Sequence, residues 1–100
     1  DVIALIKPQF EAGKEKVGKH GIVRDPKVHL EVLNKIISFA AEENYDVVEL
    51  DFSPITGGEG NIEFLVHLVS KESVGNISPS VNPELIVKQA HATLDIKKKA

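Results

Sequence analysis

One hundred residues make one domain or less, and a net charge of −3 gives no overall attraction toward nucleic acid or an anionic membrane, although a local basic patch could still bind RNA. The apolar share of 42% is ordinary for a globular chain and argues against disorder. Cysteine is absent, which excludes disulfides and thiolate metal sites and fits a cytoplasmic protein; no signal peptide is recognisable and no apolar run is long enough to span a bilayer.

Methionine is also absent, and the chain opens directly on an apolar run, Val2-Ile3-Ala4-Leu5-Ile6. A run this short and this rich in β-branched residues predicts a buried strand. A chain that starts inside a strand predicts a fragment or trimmed piece. Its first strand would lack a neighbour on one side, and an open edge would invite a homodimer of the piece. Pro8 forces Lys7 into an extended conformation and ends the ladder. Lys7 is thereby placed on the carboxyl rim of the strand, where open α/β sheets carry their binding and catalytic groups.

Residues 11–26 show no period of 2 or 3.6, with glycine at 13, 18 and 21 and lysine at 14, 16 and 19, and predict a long loop. Lys14, Lys16, Lys19, His20 and Arg24 are its candidate phosphate contacts, Arg24 foremost because it abuts a helix start. That start is Asp25-Pro26, a capping aspartate followed by proline in the first helical position. Val28, Val32, Leu33, Ile36, Ile37, Ala40 and Ala41 recur at helical spacing and predict a helix from Pro26 to about Glu43, closed by Asn44 in a left-handed conformation.

Tyr45 to Ser53 predicts a second strand, less buried than the first or nearer an edge, because its apolar residues mix a doublet with alternation. Pro54 to Asn61 predicts a glycine-rich turn, Ile62 to Val69 a third strand, and Asn76 to Val81 a polar linker. Asn82-Pro83-Glu84 repeats the cap-and-proline signature and opens a weakly apolar last helix, ending in Lys97 to Lys99. The order β-α-β-β-α makes the first two strands parallel and the third antiparallel. Glu63, second in the third strand, then begins on the rim where Lys7 ends.

Three stretches taken together, Ile6-Lys7-Pro8-Gln9-Phe10-Glu11-Ala12-Gly13, Gly21-Ile22-Val23-Arg24-Asp25-Pro26 and Ser53-Pro54-Ile55-Thr56-Gly57-Gly58-Glu59-Gly60-Asn61-Ile62-Glu63-Phe64, resemble the TlyA-type hemolysin family of ribosomal RNA 2′-O-methyltransferases, whose catalytic domain is FtsJ-like. The resemblance runs to about Glu72. It implies an α/β fold, the C-terminal half of a Rossmann-like class I methyltransferase sheet, over residues 1–72. A linker and C-terminal helix (73–100) would pack on the same domain. It implies S-adenosylmethionine as cofactor and ribosomal RNA or ribosomal subunits as partners. Of the family's Lys-Asp-Lys-Glu catalytic tetrad, the second lysine falls on Lys7 and the glutamate on Glu63. The first lysine, the aspartate and the cofactor's glycine-rich turn have no counterpart here, so the piece alone is expected to be inactive.

Lys7 would act as general base or as the group that orients the ribose hydroxyl, the two roles remaining open, and Glu63 would position it. Glu59 is a rival for the acid, but a strand is more rigid than a glycine loop. The alternative to an enzyme piece is a non-catalytic RNA- or protein-binding α/β module working through the basic loop. A membrane-active protein, which the word hemolysin suggests, is disfavoured because nothing spans a bilayer and the last helix is too weakly apolar to insert. The histidines lack metal-ligand spacing and are expected to be structural.

Overall fold

A computed structural model describes residues 1–13, 15, 17–18, 21–56 and 60–94. Strand β1 (Val2–Ile6) leads into a one-turn helix α1 (Pro8–Glu11) and a loop, followed by helix α2 (Pro26–Glu42), strand β2 (Tyr45–Phe52), strand β3 (Phe64–Ser70) and helix α3 (Pro83–Leu94). The chain is a small α/β domain whose sheet has the order β1-β3-β2, with β3 antiparallel to both neighbours. The outer strands therefore run the same way, as expected of the first two strands, but β3 lies between them.

One face of the sheet is covered. Ile6, Phe64, Val66, Val47 and Leu50 project from it and meet Val32, Leu33, Ile37 and Ala40 of α2 and Val87 and Ala90 of α3 in a single apolar cluster. Val47 and Leu50 are three positions apart yet share this face, because a register shift between Val47 and Glu49 inserts Val48 and resets the alternation. Helix α2 starts as the sequence implies. Asp25 Oδ1 accepts the Lys27 amide at 2.9 Å and Pro26 fills the first turn. It ends at Glu42, and just past its cap Asn44 has a φ of 68°, the left-handed closure expected there.

Three expectations need correction. β1 is not buried: Val2, Ile3 and Leu5 are all exposed, and only Ile6 is fully covered. β1 pairs with β3 alone, and among the described residues its other side has no strand, so the continuous apolar run marks two faces of which one is bare. Residues 8–11 form a helical turn that the sequence did not predict, and Glu11, expected to open the loop, closes it, because Pro8 presets the helical φ at the first position where no amide is needed. The third strand begins at Phe64, so Glu63 is the residue before it. The linker after β3 also carries more order than its polarity suggests. Ile77 forms a parallel bridge with Val47, and Asn76 and Ser78 exchange backbone hydrogen bonds with it at 2.9 Å.

Candidate active site

The rim takes its geometry from one pairing. Ile6 lies opposite Phe64 in the antiparallel ladder, so the next residue of one strand and the preceding residue of the other, Lys7 and Glu63, leave the sheet at the same end. Lys7 has φ −113° and ψ 97°, the extended geometry a following proline imposes. Its Nζ stands 5.8 Å from the centroid of the Phe10 ring, and that ring is 74% exposed.

Glu63 is only 7% exposed. Its backbone carbonyl accepts the Ser53 amide at 2.8 Å, tying the end of β2 to the entry of β3. Its carboxylate Oε2 accepts from Gln9 Nε2 at 3.1 Å. The Glu63 carboxylate is thus held by a neutral amide from α1, while the Lys7 ammonium lies over Phe10. The two charges share a rim without closing into an ion pair with each other among the described residues.

The same backbone segment fixes the loop. Asn61 is buried; its Oδ1 accepts the Val23 amide at 2.9 Å and its Nδ2 donates to the Gly21 carbonyl at 2.8 Å. Val23 is fully buried behind that clamp, leaving Arg24 half-buried beside the helix cap at Asp25. Of the other loop cations, Lys14, Lys16, Lys19 and His20 lie outside the described residues, as does Glu59.

Away from the rim, His29 of α2 is fully buried, edge-on to Phe64, with its Nδ1 2.7 Å from Nε2 of His91 on α3. Burial, and after it the neighbouring His91, lower its pKa from 6.5 to about 4, against smaller opposing effects of the Val23 backbone and Asp25. His29 joins the two helices as a neutral ring. No helix among the described residues is long and apolar enough to cross a membrane.

The family model for FtsJ-like methyltransferase matches residues 1–70. The chain belongs to the FtsJ-like methyltransferase family. It is 56% identical over 100 residues to the Bacillus subtilis protein named "Putative rRNA methyltransferase YqxC", covering 98% of this chain and 36% of that one. It is 37% identical over 68 residues to the Mycobacterium tuberculosis "16S/23S rRNA (cytidine-2'-O)-methyltransferase TlyA", covering 68% of this chain and 25% of that protein. Among solved structures, a "Putative hemolysin from Streptococcus thermophilus" superposes with a TM-score of 0.87 at 44% identity, covering 99% of this chain and 35% of the other. The chain spans between a quarter and about a third of the length of these relatives.

Within an FtsJ-like chain the sequence motifs explain which residues sequence reasoning missed. Gln9 and Asn61 both lie inside the motifs that carry the resemblance, yet neither is a residue type that does chemistry by itself. The signal that could have found them is their company. Each lies two residues from a charged rim group, and each has an amide side chain that bridges separate segments, Gln9 joining α1 to the residue before β3 and Asn61 joining that segment to the loop.

Proposed function

We propose that this chain is part of an S-adenosylmethionine-dependent methyltransferase acting on ribose 2′-hydroxyls of ribosomal RNA, in which Lys7 and Glu63 belong to the catalytic centre. The observation that supports it most is the Ile6–Phe64 pairing, which carries a lysine and an acid to one end of the sheet from positions far apart in the chain. The family membership and the names of the relatives point the same way. In this reading the chain is the C-terminal half of a Rossmann-like sheet, and it works in the cytoplasm on ribosomal subunits.

Methyl transfer to a hydroxyl requires alignment of the oxygen, departure of its proton and exclusion of water. Alignment is the largest contribution, worth roughly 7–11 kcal/mol for well-positioned reactants. S-adenosylmethionine supplies an electrophilic methyl group. The described residues offer no glycine-rich strand-to-helix turn for its methionine end: β1 runs straight into Lys7-Pro8 and α1. The part assigned here to this chain's own residues is the handling of the hydroxyl.

Lys7 orients the hydroxyl by hydrogen bonding and, when neutral, takes its proton. Glu63, on the same rim, supplies a carboxylate that accepts a hydrogen bond from the hydroxyl or the ammonium and so fixes their orientation. The loop clamped by Asn61 carries Arg24 as a contact for RNA phosphates, and Lys14, Lys16 and Lys19 are assigned the same role from the sequence. The deciding experiment compares the intact parent protein with its Lys7→Ala variant on ribosomal RNA, reading 2′-O-methyl nucleosides by mass spectrometry. Loss of the modification in a folded variant is expected, and retained turnover overturns the assignment.

A further inference from the structure

We infer that Gln9 is a positioning residue for the Glu63 carboxylate, a role that rests on the reading of Lys7 and Glu63 as the catalytic pair. Glu63 is almost wholly covered, and a covered carboxylate is costly unless donors satisfy it. The donor present is Gln9 Nε2, 3.1 Å from Oε2. A carboxylate accepts only, so the amide must turn its NH2 toward it. The Gln9 carbonyl oxygen is then left buried with no partner.

The chemistry of that choice is specific. An arginine or lysine here would neutralise the acid and draw its field away from Lys7. A neutral amide fixes the orientation of the carboxylate and leaves its charge intact. The backbone explains why Gln9 can reach. Pro8 starts α1 immediately after the rim lysine, and one turn of helix brings the second residue beyond Lys7 back over the start of β3. The unpartnered Gln9 oxygen stands ready for a hydroxyl or ammonium donor brought to the same rim.

The test is a double-mutant cycle in the intact parent protein. Gln9→Met keeps the volume and removes the donor; Gln9→Leu, the second variant, removes it with a shorter hydrocarbon side chain. With RNA as substrate, either change should lower kcat by about tenfold with KM altered less than about twofold, and in a Glu63→Gln background the same change should cost less than about twofold. An equal loss in both backgrounds, or no loss in the wild type, overturns the inference. The contact has a readout of its own. The side-chain NH2 resonances of Gln9, followed by NMR in the intact protein, should move on Glu63→Gln. Unmoved resonances overturn the inference whether or not the parent methylates RNA, whereas moved resonances in a protein that never methylates would uphold the contact and refute the proposed function.

Discussion

Lys7 and Glu63 stand one residue beyond the Ile6–Phe64 pair, at the same end of two antiparallel strands. A general acid–base group typically contributes about 10²–10⁴ in rate. Lys7→Ala should therefore lower methylation by at least about a hundredfold in the intact protein. The melting temperature should change little, because the Lys7 side chain is only half-buried and packs on an exposed ring. Lys7→Arg should fail equally, since a guanidinium stays protonated and presents a broader head. Turnover within tenfold of wild type in either variant would remove Lys7 from the chemistry.

The loop makes a separate claim. If Arg24 and the neighbouring lysines meet phosphates, each substitution by alanine should reduce the slope of log binding constant against log salt by about one unit while weakening all RNA sequences alike. Filter binding across a salt series measures this. A slope that ignores Arg24→Ala assigns that side chain to the helix start alone, and a chain that binds RNA normally but never methylates would favour the non-catalytic module.

Asn61 bridges two backbone groups, and Val23 behind it is fully buried. Asn61→Ala leaves the covered Val23 amide without its acceptor. The expected cost is about 1–3 kcal/mol, the desolvation penalty of a buried unsatisfied group. Urea titration should show a lower midpoint at unchanged slope. A variant as stable as wild type would mean that the loop is not clamped by this side chain.

His29 gives the domain an acid-sensitive seam. Its folded pKa of about 4 lies below the ordinary 6.5, so the unfolded chain binds the proton first as pH falls. The stabilisation is complete above about pH 6.5 and is lost progressively toward pH 4, by at most about 3 kcal/mol for a shift of this size. Melts between pH 7 and 5 should show the decline, and His29→Gln should flatten it whatever its own stability. An unchanged pH slope in His29→Gln would place the acid sensitivity elsewhere.

Gly75 packs where no side chain fits. Its amide donates to the Ala41 carbonyl at 2.8 Å, and a Cβ there would run into the Tyr45 carbonyl. Gly75→Ala should therefore displace the segment after β3 and cost about 1–3 kcal/mol, as overpacking does. Thermal unfolding is the check, and an unshifted transition would show that the segment yields without penalty.

Much of this fold is legible in the residues because local signals agree with the tertiary outcome. Asp25-Pro26 and Asn44 bracket α2 by capping chemistry alone, and Val2–Ile6 is a strand from β-branched content and the proline that follows. What is misread depends on neighbours. An apolar run in β1 implies cover on both faces, but burial is a property of what packs against the strand, and here Ile3 is 64% exposed. The one turn of α1 is too short to show a period. The Val48 insertion blurs the alternation of β2 and hides its depth of burial. At the site, the common end of Lys7 and Glu63 follows from strand direction, which the order of elements supplies. The Gln9 contact depends on where a single helical turn aims a side chain, and no spacing rule reports that.

Asn61 grips the loop at Gly21 and Val23, and two residues further along the same backbone sits Glu63. Any ligand that seizes the loop leans on the short stretch of chain from which the acid hangs. In the proposed enzyme the loop that would dock RNA and the acid that would line the rim thus share one stretch of backbone, so seating the one bears on the alignment of the other.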